Sequence, residues 1–254
     1  MSRIAYSKLR QKLRRTLPPD WLPKLLRFLQ ARLTPGGELG LHLTAGMVLL
    51  VAAVSVFQEI AEAVGENDDI ARFDVHVAQW FNTHAFEPLT TIMMGFTHAH
   101  GIVGMSIASS LLALWFWRRK APYWLLATVI AVPGGMLLNV LLKLTYARPR
   151  PAFEEPLLTL GTYSFPSGHT AAATLFYGFI ACYIVTTSPS WRRRLAVMVF
   201  AAVMVALVAF SRVYLGAHYV SDVLAAMAES AGWLAVCITA VSTLRRRRAA
   251  RKDQ

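Results

Sequence analysis

Charge is scarce in this 254-residue chain, and negative charge is scarcest: 16% of the residues are Asp, Glu, Lys or Arg, with 14 acidic against 26 basic. Soluble domains carry about 25% charged residues, so a water-soluble globular enzyme is excluded. The apolar content, 56% of the chain, excludes a disordered polyelectrolyte. Cysteine is nearly absent. Cys182 and Cys237 each stand in an apolar stretch, without the spacing of a zinc site, a redox pair or a disulfide framework, and read as buried inert thiols. Internal repeats and low-complexity linkers are missing too, which points to one domain with short tails. What is present in excess is long uncharged apolar sequence, with compact basic clusters between the runs.

A bilayer core takes roughly 20 mostly apolar residues per helix. Six segments qualify: 41–64, 101–117, 122–146, 169–187, 195–214 and 217–244. The expected fold is therefore all-α, a polytopic membrane protein of six transmembrane helices. The first run begins after some forty residues and lacks a small-residue cleavage site, so a cleaved signal peptide is not expected. Lys and Arg in the short loops set the orientation. Basic residues precede the first span, and Arg118, Arg119 and Lys120 follow the second. Arg192, Arg193 and Arg194 follow the fourth, and Arg245 to Arg248, Arg251 and Lys252 form the tail. Six spans place all four regions on one side, the cytoplasm, with both termini inside. This topogenic use of basic charge removes the need for nucleic acid as a partner.

The expected organisation is a basic cytoplasmic segment 1–40, a membrane domain 41–244 and a basic cytoplasmic tail 245–254. In the first segment Leu9, Leu13, Leu17, Leu22, Leu25, Leu26 and Leu29 recur at near-helical spacing between basic residues, interrupted by Pro18-Pro19. That pattern fits helices lying on the anionic lipids of the inner leaflet, with a partner-binding helix as the alternative. The loop 65–100 carries Glu66, Asp68, Asp69, Asp74 and Glu87 against one basic residue, Arg72, and is placed outside. Phe73, Val77, Trp80 and Phe81 within it predict a short helix on the outer interface, which either borders a lateral access for a lipid or packs over the helix ends.

Basic residues outside, at span ends, need a reason. They fall in Lys143 to Pro151 and in Ser211 to Asp222, and a third polar stretch, Phe165 to Thr170, opens the fourth span beside them. Under the six-span arrangement all three reach the outer face. A phosphoryl group in transfer spreads negative charge over its equatorial oxygens and needs several fixed positive donors. Lys143, Arg150 and Arg212 supply them, the guanidinium fork suiting bidentate contacts. Ser167 and Gly168 at the start of the fourth span aim a hydroxyl, backbone N–H groups and a helix N-terminus at an anion. His218 and Asp222 are four apart, so the carboxylate can hold the imidazole in one tautomer and leave its other nitrogen to attack phosphorus. His169 then serves to protonate the leaving oxygen.

The series Lys143-x6-Arg150-Pro151, then Pro166-Ser167-Gly168-His169, then Ser211-Arg212-x5-His218-x3-Asp222 resembles the type 2 phosphatidate phosphatase and vanadium haloperoxidase superfamily. All three signature motifs are present in order. The resemblance implies a metal-independent membrane lipid phosphatase, without cofactor, acting through a phosphohistidine. It makes His218 the nucleophile, Asp222 its orienting partner and His169 the general acid. Lys143, Arg150, Ser167, Gly168 and Arg212 would bind phosphate. Arg148-Pro149 is a second Arg-Pro pair two residues early; the family spacing selects Arg150 and leaves Arg148 as an auxiliary contact to a second phosphate or headgroup.

Two further features stand beside the motifs. His98 and His100 have no matching carboxylates and are read as interfacial histidines, with no metal site. Glu229 lies seven residues after Asp222 on the same helix face, inside the sixth span, where an acid is a functional candidate by default; a hydrogen bond to Asn139 would serve as a structural role instead. The expected activity is hydrolysis of lipid phosphates or diphosphates on the outer face of a bacterial inner membrane. Phosphatidic acid, phosphatidylglycerol phosphate and undecaprenyl diphosphate are the expected substrates, the last favoured by the spare Arg148. The competing reading is an anion or lipid transporter, which requires a helix broken at mid-membrane; Pro133-Gly134-Gly135 is such an interruption in sequence. A haloperoxidase does not fit six spans.

Overall fold

The computed structural model describes Lys24 and residues 41–66, 69–158 and 160–250. The expected amphipathic segment 1–40, apart from Lys24, and the last residues of the basic tail lie outside the described residues. Eight helices run through residues 41–250: α1 Leu41–Gly65, α2 Asp69–Thr83, α3 Leu89–Ala99, α4 Ile102–Arg118, α5 Pro122–Tyr146, α6 Gly168–Thr187, α7 Trp191–Tyr214 and α8 Val220–Ala250. No strand occurs among the described residues. The all-α expectation holds.

Five helices, α1, α5, α6, α7 and α8, are long and apolar enough to cross a bilayer. The expected second span differs. Helix α4 has 17 residues and reaches spanning length only together with α3, from which it is bent by 48°. Helix α3 falls within the stretch 65–100 expected to form the outer loop. The break has a local cause: Gly101 is extended, with ψ −179°, and α4 then starts hard against the end of α3. A Cβ on Gly104 would stand 2.0 Å from the Ala99 carbonyl oxygen, so only glycine permits this approach.

Helix α8 is central and packs on α1, α2, α5, α6 and α7. Its inward face is built from small residues, Ala225, Ala226, Ala228 and Ser230 among them. Between helices in lipid the attraction is close packing rather than a hydrophobic effect, and small residues let the backbones approach. Gly46 of α1 shows how close: a Cβ there would fall 2.0 Å from Thr239 Oγ1. The largest apolar cluster joins Phe116, Trp124, Leu175, Phe179, Leu234 and Val241 near the basic ends of the helices. Outward, Met47, Val48, Val51 and Val54 on α1 and Val199, Phe200 and Val203 on α7 are exposed, as a lipid-facing surface requires.

The Pro133-Gly134-Gly135 interruption does not break α5, which continues from Pro122 to Tyr146. The glycines are packing residues. A Cβ on Gly134 would meet the Trp233 ring at 2.8 Å, and one on Gly135 would meet Leu175 at 2.6 Å. The Trp233 indole N–H donates to the Ala131 carbonyl beside Pro133 at 3.0 Å, engaging a backbone group next to the proline. The mid-membrane break that a transporter of this kind needs is therefore absent from α5. About one helical turn from Lys143 in α5, Asn139 Nδ2 donates to Glu229 Oε1 at 2.5 Å, the bond named as one of the two readings of Glu229, while Glu229 Oε2 is buried without a partner. Such bonds between helices in lipid contribute about 0.6 kcal/mol on average.

Helix α2 forms where the apolar spacing predicts a helix, but its buried face takes in only half of that apolar stripe. Ala71, Asp74 and Ala78 are buried, while Phe73 and Trp80 are about half exposed. Val77 and Phe81 pack on Ala209, Val213 and Val223. Asp74, one of the acids of the loop placed outside, is 1% exposed.

Candidate active site

The end of the bundle opposite the basic clusters collects the C-terminus of α5, the N-terminus of α6, the C-terminus of α7 and the N-terminus of α8. Each junction is shaped by a local backbone feature. Helix α5 ends on Ala147 in the left-handed conformation, φ 45°, whose N–H closes on the Lys143 carbonyl. This throws residues 148–150 across the helix ends, where the Ser164 N–H donates to the Arg148 carbonyl at 2.8 Å. Helix α7 ends at Tyr214, and Gly216 turns the chain with φ +65°; a Cβ there would strike the Phe153 ring at 2.6 Å. That turn lets the Arg212 carbonyl accept from the N–H groups of both Ala217 and His218. It places His218 immediately before α8, with Asp222 in its first turn.

His218 and Asp222 meet as their spacing requires, Nδ1 to Oδ2 at 3.3 Å. Both side chains are buried. On the opposite edge of the ring, Arg150 Nη1 lies 3.3 Å from Nε2. A guanidinium only donates, so Nε2 accepts and the ring proton sits on Nδ1, facing the carboxylate. Burial pulls the His218 pKa down to about 4, opposed by the hydrogen bond and charge of Asp222 and assisted by Arg212 and Arg150. The imidazole is therefore neutral at physiological pH, with its Nε2 lone pair directed at the cationic side of the site.

Of the phosphate-binding candidates, Arg150 lies against that nitrogen. Arg150 is held by the Thr162 carbonyl at 2.6 Å, by Thr162 Oγ1 at 2.9 Å and by the Ala217 carbonyl at 2.5 Å. Lys143 Nζ donates to the carbonyls of Tyr163, Ser164 and Pro166 at 3.0, 3.3 and 2.7 Å, tying α5 to the loop before α6. Arg212 is 1% exposed. Its Nη1 donates to Thr97 Oγ1 at 2.6 Å, while Nε and Nη2 are buried without a partner. Buried donors in proteins are nearly always satisfied, so two orphans on one guanidinium make Arg212 a candidate anion ligand.

Ser167 precedes α6 with extended backbone, and no side chain caps that helix N-terminus. Its N–H donates to the Asp222 carbonyl at 3.1 Å, and its Oγ accepts from Thr170 Oγ1 at 3.1 Å. The neighbours of Gly168 do not demand glycine, since a Cβ would meet only Asn139 Oδ1 at an ordinary 3.5 Å. His169, in the first turn of α6, shares the electrostatic field of Arg212, His218 and Arg150. The bend at Gly101 passes close by, so that a Cβ there would lie 3.7 Å from His169 Nε2.

Arg148 is differently engaged from the auxiliary phosphate contact expected of it. Nη1 donates to Asp222 Oδ1 at 2.7 Å and Nη2 to Asp74 Oδ2 at 2.9 Å, and the guanidinium lies 4.2 Å from the Tyr219 ring centroid. Two carboxylates and the Ser221 hydroxyl engage both of its terminal nitrogens. His98 is exposed; its Nδ1 lies 2.7 Å from the Met94 carbonyl. His100 is buried, its Nε2 2.9 Å from the Tyr177 hydroxyl.

Four residues in the site escaped sequence reasoning. Asp74 holds Arg148. Ser164 donates to Asp222 Oδ2 and lies 3.4 Å from His218 Nδ1. Thr162 seats Arg150, and Thr97 seats Arg212. Only Asp74 left a trace in sequence, an acid set between Ala71 and Ala78 on one helix face where small residues mark close packing.

The PAP2 superfamily pattern matches residues 122–246, the segment holding all three motifs. Phosphatidylglycerophosphatase B of Bacillus subtilis is 36% identical over 139 residues, covering 54% of this chain and 67% of that protein. An undecaprenyl-diphosphatase of Sulfolobus acidocaldarius is 29% identical over 193 residues, 74% of this chain and 83% of the relative. The crystal structure of the transmembrane PAP2 type phosphatidylglycerolphosphate phosphatase from Bacillus subtilis superposes with a TM-score of 0.67 at 29% identity, over 78% of this chain and 96% of that one. Motif order, helical frame and long alignment agree, and the chain belongs to the PAP2 superfamily, as a membrane-embedded phosphatase.

Proposed function

We propose that the protein hydrolyses lipid phosphates or diphosphates through a phosphohistidine on His218, at an active site on the outer face of a bacterial inner membrane. His218 Nε2 attacks phosphorus and the bond from phosphorus to the lipid-side oxygen breaks. His169 gives its proton to that oxygen. Water, deprotonated by His169, then displaces His218 and releases inorganic phosphate. Lys143, Arg150, Arg212, Ser167 and the backbone N–H groups at the start of α6 carry the charge of the transferring group. The observation that carries this reading is the pairing of a neutral His218 Nε2 with two unpartnered buried donors on Arg212.

Substrate class rests on the relatives, whose names specify phosphatidylglycerophosphate and undecaprenyl diphosphate; phosphatidic acid belongs to the same chemistry. The diphosphate preference argued from a spare Arg148 loses its basis, since that side chain is taken up by Asp74 and Asp222. Phosphate release from a panel of these three lipids, by purified protein in detergent with a chelator present, tests the reading. Turnover is expected to survive the chelator and to be inhibited by vanadate. A strict requirement for magnesium, or no release from any of the three, rejects it.

Orientation follows from basic charge. Arg118 to Lys120, Arg192 to Arg194 and Arg245 to Arg248 lie at the helix ends away from the site, with Arg245 and Arg248 set 5.9 and 5.8 Å from the Trp124 and Tyr123 ring centroids at the start of α5. Basic loops stay in the cytoplasm, so the site faces out. In protein lacking Cys182 and Cys237, a single Cys at Glu154 is expected to react with an impermeant thiol reagent on spheroplasts, and one at Ser190 only after lysis. The reverse pattern rejects the outward site.

A further inference from the structure

We infer that Asp74, on the outer helix α2, is a positioning residue for phosphoryl transfer, acting through Arg148 on the Asp222 carboxylate. The inference rests on the phosphohistidine reading and deepens it. Asp74 is fully buried and touches none of the phosphate-binding groups. Its Oδ1 accepts the Ser221 N–H at 3.0 Å, and its Oδ2 accepts from the Ser221 hydroxyl and from Arg148 Nη2. Arg148 Nη1 reaches Ser221 Oγ and Asp222 Oδ1, both at 2.7 Å. Asp222 Oδ2 is left for the Tyr219 N–H at 2.9 Å, the Ser164 hydroxyl and His218 Nδ1.

The charge arithmetic gives this chain a purpose. One guanidinium stands between two carboxylates, so Arg148 orients Asp222 without neutralising it alone. When His218 Nε2 bonds to phosphorus, positive charge develops on the ring and the Asp222 carboxylate must answer it. With Asp74 neutral, the full charge of Arg148 falls on Asp222, and the developing imidazolium loses support in a buried site where charges are weakly screened. A buried carboxylate whose only service was to tie α2 to the bundle could be replaced by any hydrogen-bonding side chain of its shape.

Asp74→Asn keeps that shape and removes the charge. Expected for the purified full chain is a kcat about tenfold lower or more, with KM within about twofold and the rate of phosphoenzyme formation reduced in step with kcat. In a double-mutant cycle, Asp74→Asn is expected to cost little further once Arg148→Met is present, because its effect passes through Arg148. Should Asp74→Asn not fold, Ser221→Ala loosens the Asp74 carboxylate and retains every charge; a smaller kcat loss with unchanged KM is then expected. A kcat within twofold of wild type for whichever variant folds, or additive effects in the cycle, overturns the inference. Wild-type protein assayed alongside separates the two levels. A wild type that releases no phosphate rejects the phosphatase reading itself, whereas an active wild type matched by Asp74→Asn rejects only the role of Asp74.

Discussion

Replacing His218 by alanine is expected to lower kcat by about 10⁴-fold or more, the loss typical when a nucleophile is removed from a unit that acts together. Asp222 then has no imidazole to orient and His169 no phosphoenzyme to hydrolyse. His169→Ala is expected to behave otherwise. A general acid contributes roughly 10²–10⁴-fold, and that contribution is needed most for an alkoxide leaving group. With a nitrophenyl phosphate, whose leaving oxygen needs no proton, His169→Ala should still give a burst of phosphorylated protein followed by slow release. Rapid-quench kinetics of both variants check the division of labour, and a burst of equal size from His218→Ala would exchange or remove the roles. In wild type the neutral His218 carries a further consequence. Its imidazole protonates near pH 4, so the acid limb of kcat/KM assigned to the nucleophile should appear only as pH falls toward 4, not near the ordinary histidine value of about 6.5.

Arg212→Met is expected to cut kcat/KM by about 10²–10³-fold, as when one preorganised donor is taken from a developing anion. Its effect on stability should have the opposite character. The guanidinium is buried with Nε and Nη2 unpaired, a desolvation cost that bound phosphate would offset under the proposed reading. An apolar side chain of similar length relieves that cost. Thermal unfolding in detergent should therefore place Arg212→Met within a few degrees of wild type. Vanadate or phosphate should raise the midpoint of wild type, because ligand binds only the folded state, and leave the variant unmoved. A variant that unfolds far below wild type yet retains kcat/KM would make Arg212 a structural residue.

The parts of this protein that were legible in sequence are those with a local signature. Apolar runs mark α1, α5, α6, α7 and α8 because a bilayer imposes length and composition on each helix separately. The motif residues are legible because His218 and Asp222 share one helical turn and Ser167, Gly168 and His169 open one helix. What was missed lies across the fold. Asp74 meets Ser221 from 147 positions away, and Thr97 meets Arg212 from 115. Neither has a pattern within its own segment that announces the partner. Arg148 shows the same limit from the other side: a basic residue beside a phosphate motif reads as a phosphate ligand until the acid that consumes it, on another helix, is seen. The α3–α4 bend was hidden because Gly101 and Gly104 look like ordinary small residues of an apolar run; only the overlap that a Cβ on Gly104 would make with the Ala99 carbonyl shows what that glycine permits.

A covalent phosphoryl group on His218 Nε2 can be trapped directly. Full-length protein in detergent, mixed with a lipid phosphate labelled in its phosphoryl group and quenched within milliseconds, should carry a label that is lost in acid and retained in alkali, as a phosphoramidate is. Peptide mapping should place it on the segment containing His218, at up to one label per chain. Label on His169, on a serine or on no residue, in protein that turns over the same lipid, would contradict the account.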